Sequence, residues 1–358
     1  MWSLGNITHS IDAWLNESFN PAIALLTEFV IVGTMAIGLF AVLGLVLVFM
    51  ERKVSAYMQI RVGPNRVGPK GMFQTFADTI KLLLKEGLTP TGSDKFLFNL
   101  APVIAIISAM LLLAPIAFAK DFQMWDLNIG VLYVSAISSV AVISILMAGW
   151  SSNNKYSLLG AMRSGAQIVS YELSAGLSIL AIVVLVGSLK MTDIVASQET
   201  GWWLFKGHIP ALIAFVIFII AATAETNRAP FDLAEAESEL TAGFHTEYSG
   251  MRFALFFLAE YVNIFIVCAI GATLFLGGWM PFHIGQWTAF NHLMDFIPSS
   301  LWFFGKTFFL IFLIMWFRWT FPRLRVDQLL NLEWKYLLPI SMFNLLLATA
   351  IAILGWHF

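Results

Sequence analysis

The chain has 358 residues, of which 59% are hydrophobic and only 12% charged, with a net charge of −2 and a mean hydropathy of +0.81. A soluble domain carries roughly 25% charged residues, so the composition excludes one and indicates a polytopic membrane protein. No basic, aromatic-studded patch points to nucleic acid. Cys268 is the one cysteine, so an intramolecular disulfide, an iron–sulfur cluster and a structural zinc site are all excluded. The histidines are scattered, and the chain is expected to hold no metal and no redox centre of its own.

In chain order, residues 1–26 lack a basic n-region and do not read as a cleaved signal peptide. Trp2, Trp14 and Phe19 suit an interfacial segment. Eight apolar runs follow, near 27–50, 97–119, 131–150, 166–188, 209–226, 253–276, 302–318 and 337–354. Each approaches the roughly 20 residues that cross a bilayer as a helix, so the fold class is an all-α integral membrane protein. Glu28, at the start of the first run, reads as interfacial. The loops at 51–96, 151–165, 227–252 and 318–336 hold sixteen of the 20 Lys and Arg residues. Lys120, Lys190, Lys206 and Lys306 lie on the other side. The positive-inside rule then places the basic loops in the cytoplasm and both termini outside.

The first inner loop reads ERKVSAYMQIRVGPNRVGPKG before an amphipathic stretch. Gly63-Pro64 and Gly68-Pro69 impose turns, with Arg52, Lys53, Arg61, Arg66 and Lys70 around them. Phe73, Phe76, Ile80, Leu83 and Leu84 recur at helical spacing between Met72 and Glu86. A helix of this length cannot span and suits the membrane interface. The second inner loop leads into SLLGAMRSGAQIVSYE, which places Glu172 a turn or two inside the fourth run, beside Tyr171. A lone carboxylate at that depth must be paired or neutral.

The stretch from Glu225 to Arg252 is the most acidic in the chain. It holds Glu225, Asp232, Glu235, Glu237, Glu239 and Glu247 against Arg228, Arg252 and His245. A helix over 232–240 would put Asp232, Glu235 and Glu239 on one face, where like charges exchange protons near neutral pH. Phe231, Phe244, Tyr248 and Met251 interleave the charges, which argues for a packed loop over a solvated one. Glu260 lies two turns past Arg252, with Tyr261 beside it, and its other reading is a structural partner for an Arg of a neighbouring helix. In the last inner loop, Arg318, Arg323 and Arg325 surround Asp327 in RWTFPRLRVDQL. P-loop, dinucleotide, nucleophile-elbow and HExxH patterns are absent.

The stretches AETNRAPFDLAEAESEL and GFHTEYSGMRFALFFLAEY resemble the quinone-site membrane subunit of respiratory complex I, the proton-pumping NADH:quinone oxidoreductase. So do MQIRVGPNRVGPKG, SLLGAMRSGAQIVSYE and RWTFPRLRVDQL, and the likeness covers roughly 30–340. The resemblance implies a translocase subunit whose substrate is ubiquinone or menaquinone. It implies that Arg52, Arg61, Arg228, Phe231, Asp232, Phe253, Phe257 and Tyr261 line or flank a quinone tunnel. It also implies a coupling path through Glu172, Glu225, Asp232, Glu235, Glu237, Glu239, Glu247 and Glu260. NADH, FMN and iron–sulfur clusters would belong to partner subunits, with antiporter-like and small membrane subunits alongside. The expected location is a bacterial plasma membrane, in contact with lipid and quinone. Three other readings of the residues stay open here: a stand-alone proton-coupled transporter, the related subunit of a membrane-bound hydrogenase, and a structural anchor.

Overall fold

A computed structural model describes residues 13, 14, 17, 20–234, 237–283 and 287–355. Trp2, Phe19 and Glu235 lie outside the described residues, as does the Glu237 side chain. The major helices are α1 Pro21–Met58, α2 Gln74–Leu84, α3 Lys95–Leu113, α4 Gly130–Ser151, α5 Lys155–Val186, α6 His208–Glu225 and α7 Gly250–Phe275. The last three are α8 Ser299–Thr320, α9 Val326–Leu332 and α10 Leu338–Leu354. Among the described residues, eight stretches are long and apolar enough to cross a membrane: α1, α3, α4, α5, α6, α7, α8 and the α9–α10 run. A small sheet pairs Ala117–Ala119 with Phe122–Gln123 at the end away from the basic loops.

Local chemistry sets the helix ends. Asp94 caps α3 by accepting from the Phe96 and Leu97 amides. Asn154 caps α5 in the same way through the Tyr156 amide, and Gly187 closes it in the left-handed conformation. Several helices outrun their apolar runs. The expected fourth span of 166–188 begins at Lys155, because its polar early turns find partners in the acidic loop. A Cβ on Gly160 would stand 2.8 Å from the Gly243 Cα and 2.9 Å from the Phe244 amide, so only glycine permits that approach. Ser157 Oγ then donates to the Phe244 carbonyl at 2.8 Å. Glu172 consequently sits mid-helix.

α7 is the centre of the bundle. It packs against α1, α3, α6 and α8, and from Ile264 to Phe275 every residue is buried. The four basic or acidic loops meet at one end of the bundle. Asn154 Nδ2 donates to Glu247 at 2.6 Å, the Leu88 amide donates to Ser249 at 2.9 Å, and the Leu324 amide donates to Pro230 at 3.1 Å.

Helix α2 turns Asp78 inward and its apolar side out. Asp78 pairs with Arg52 of α1. Phe73, Phe76, Ile80, Leu83 and Leu84 are exposed at 42–83%. That inversion suits a helix lying in the membrane interface. Burial raises the Asp78 carboxyl, but the Arg52 hydrogen bond and charge, with Gln74 and Lys81, hold it below its ordinary value of 3.8. A lowered pKa stabilises above the unfolded value, and that contribution is lost as the pH falls through the folded one. The pair is partly exposed and is worth about 0.2–1 kcal/mol. Asp78→Asn should therefore speed hydrogen exchange across Gln74–Leu84 at neutral pH. Acidification below 3.8 should produce the same loosening in the native chain.

Candidate functional site

The site begins where α1 meets α7. Arg228, in the turn after α6, is only 7% exposed and donates from Nη1 to Glu51 Oε1 at 3.2 Å. Its Nη2 lies 3.1 Å from Glu260 Oε1. Its guanidinium also stacks 4.5 Å from the Tyr261 ring centroid. Arg318 of α8 donates to the same Glu51 oxygen. The cluster thus holds two carboxylates and two guanidiniums and is neutral as a whole. Neutrality of this kind is what lets charges persist at depth.

A chamber of about 390 Å³ opens on one side of the cluster. Glu51, Arg52, Arg61, Tyr261, Arg318 and Trp319 are among its walls, with the Gly63-Pro64 turn at its rim. Approaching it along α7 is a ladder of rings at every fourth residue. Phe253 and Phe257 lie 5.8 Å apart, and Phe257 and Tyr261 4.8 Å. Helical spacing of four puts these three rings on one face, leading to Arg228, and His245 of the preceding loop lies 5.3 Å from the Phe253 ring.

On the other side of the cluster lies a series of carboxyls separated by cavities. Glu260 and Glu225 both line one of about 70 Å³, with Ser138, Asn227 and Asn263. Glu225 and Glu172 both line the next, of about 300 Å³, with Ser135, Ser138 and Ser139. Ser139 Oγ donates to Glu172 Oε2 at 3.1 Å. A buried water needs about 10–15 Å³, so the smaller cavity has room for several. Arg228, Glu260, Glu225 and Glu172 therefore follow one another across the bundle, with polar linings in the gaps.

The structure does not gather every residue the sequence singled out. Of the stretch expected as a helix over 232–240, the described residues 232–234 are non-helical and Glu237–Leu240 form a short helix. The reason lies in its backbone. The Asp232 carbonyl accepts from Arg323, the Pro230 carbonyl accepts from the Leu324 amide, and the Phe231 amide donates to the Arg228 carbonyl. Asp232 and Glu239 thus share no helical face. Glu239 is exposed and pairs with Arg163 at 2.8 Å, which lowers its carboxyl through the hydrogen bond first and the charge second. Glu247 is held by Asn154 at the loop surface. Phe231 lies against Tyr171 at 5.4 Å, in an apolar cluster with Leu329 and Leu337, away from the ring ladder.

Glu51 is absent from the sequence-derived set. It closes an apolar run next to Arg52 and Lys53, and basic neighbours make a carboxylate look like part of an ordinary interfacial loop. Its membrane-edge position, matching that of Glu225, was the available signal.

The fold and the site define a polytopic membrane protein with a charged chamber at one end and a row of embedded carboxyls leading from it. A family model described as NADH dehydrogenase matches residues 30–349. A protein of Bacteroides fragilis that is named as a subunit of NADH-quinone oxidoreductase is 56% identical over 358 residues, covering 100% of both chains. Its namesake in Bacteroides thetaiotaomicron is 54% identical over the same length, and again both chains are fully covered. One from Bacillus cytotoxicus is 51% identical over 326 residues, covering 90% of this chain and 94% of its own. The chain belongs to the NADH dehydrogenase family.

Removing one member of a buried ion cluster strands the others and costs roughly 3–5 kcal/mol. Glu51→Leu should lower the midpoint for thermal disassembly of the membrane complex, and Glu51→Asp should recover part of the loss. An unchanged midpoint for Glu51→Leu would show that Arg228 and Arg318 are already solvated.

Proposed function

We propose that the chain is the membrane subunit of NADH:quinone oxidoreductase that frames the quinone chamber and couples quinone reduction to proton translocation. The supporting observation is the continuous order of groups from the Arg61 and Arg52 chamber, through Arg228, to Glu260, Glu225 and Glu172. A quinone head needs hydrogen-bond donors for its carbonyl oxygens and flat apolar surfaces for its ring. Arg52, Arg61 and Tyr261 supply donors, and Phe253 and Phe257 supply surface. The exposed apolar face of α2 beside the Gly-Pro turns suits the lateral entrance that a lipid-soluble substrate requires.

In this reading, FMN and iron–sulfur clusters held by partner subunits would supply the two electrons from NADH. Two protons complete the quinol, and nearby protonatable groups supply or relay them. Ubiquinone and menaquinone meet the same requirements. Each added electron places a charge beside a neutral ion cluster. One unit charge at 4 Å is worth about 4 kcal/mol at an effective dielectric of 20. A carboxyl pKa moves one unit per roughly 1.4 kcal/mol, so the perturbation is large enough to redistribute protons among Glu260, Glu225 and Glu172.

The sixteen basic residues at the loop end support a cytoplasmic orientation for it, in a bacterial plasma membrane. On this reading the peripheral arm docks there, and the antiporter-like and small membrane subunits pack laterally.

Glu225→Gln tests the reading because Glu225 lines both carboxyl cavities. The assembled complex should lose about tenfold or more in quinone reduction, which equals about 1.4 kcal/mol in the barrier. Proton uptake into inverted vesicles should fall with it. Wild-type values of both, in a complex shown intact on a native gel, would refute the coupling path.

A further inference from the structure

α5 carries a carboxyl on each flank, and only one belongs to the path above. The second is Glu333, which opens the π-helical turn Glu333–Leu337 between α9 and α10. It is 1% exposed. Ser174 Oγ donates to its Oε2 at 3.0 Å, while Oε1 is buried without a hydrogen-bond partner. Glu172 has the same arrangement: a serine donor on Oε2, and an Oε1 that is buried without a partner. Ser174 follows Glu172 by two residues, which is about 200° around a helix. The same serine–carboxyl unit therefore occurs on opposite sides of α5, at nearly the same height.

We infer that Glu333 is a second proton-holding carboxyl of the subunit, neutral at rest with the proton on Oε1, and that it responds to the acidic loop. Among the described residues no Lys or Arg pairs with it, and one hydroxyl cannot compensate a carboxylate sealed from water. Binding one proton removes the charge and leaves a neutral hydroxyl, a far smaller desolvation cost. Tyr171 is the titratable neighbour facing it from α5, and Tyr171 donates its hydroxyl to the Leu329 carbonyl at 3.1 Å. Lys335, on the same turn as Glu333, points outward and is exposed.

The link to the loop is a short chain of contacts. Phe231 of the acidic loop packs on Tyr171 at 5.4 Å. Arg323 and Leu324, just before α9, bond to the carbonyls of Asp232 and Pro230. A shift of the loop therefore moves both Tyr171 and the α9 segment that ends at Glu333. π-Helical turns concentrate at functional positions, and one begins at this residue. This second half rests on the coupling role proposed above.

The test is infrared difference spectroscopy on the intact complex in liposomes, at rest and after NADH reduction. Wild type minus Glu333→Gln should show one carbonyl band of a protonated carboxyl in the resting state. Ser174→Ala keeps the acid but removes its donor, so the band should move to higher frequency instead of disappearing. NADH should shift or deplete it. The absence of a carboxyl band in both comparisons would overturn the inference. A Glu333 band that stays still while the Glu225 band responds would overturn the response to the loop and leave the coupling path standing. If neither band responds, the coupling path itself fails.

Discussion

The structure depends on Arg228. It is a buried cation between two carboxylates, Glu51 of α1 and Glu260 of α7, with Tyr261 beneath it. Separately, each of these groups would be costly at the edge of a membrane. Together with Arg318 they form a neutral unit. That unit joins α1, α7, α8 and the turn after α6 at one point. It also sets where the chamber ends and where the row of carboxyls begins. A neutral but polarisable cluster can report a nearby change of charge without a steep cost in either state.

Two helices translate this point into a path. α7 stacks Phe253, Phe257 and Tyr261 at every fourth residue, with Tyr261 at the chamber, and turns Glu260 toward the interior cavity. The tight packing of the C-terminal half of α7 fixes the register of its N-terminal half. α5 is the second axis. Its long early turns are held by glycine against the acidic loop, and its middle carries Glu172 on one side and Ser174 with Glu333 on the other. The loop, α5 and the segment before α9 therefore pack as neighbours. The acidic loop is held through its backbone and its rings as much as through its carboxylates.

Much of this was legible in the sequence. The eight spans, the clustering of basic residues at one end and the placement of Glu172, Glu225 and Glu260 on long apolar helices follow from hydropathy and spacing. The ring ladder is readable as Phe253, Phe257 and Tyr261. Helix lengths were less readable, because turns such as 155–165 gain their stability from a glycine contact 83 residues away, between Gly160 and Gly243. The expected acidic helix failed for a related reason: its backbone groups are satisfied by the α8–α9 loop. Glu51 and Glu333 were hidden because each sits beside ordinary interfacial sequence, and only tertiary packing buries them. Acidity alone does not say which carboxylates face cavities: Glu172, Glu225 and Glu260 do, whereas Glu239 and Glu247 pair with Arg163 and Asn154.

The most direct measurement is a double-mutant cycle between Arg228→Gln and Glu260→Gln, read as the rate of quinone reduction in the assembled complex. The account predicts strong coupling: the double variant should lose much less than the product of the two single losses, because each single change strands the other charge. Independent, multiplicative losses would mean that the two residues act separately. The cluster would then not be the link between the chamber and the carboxyl path.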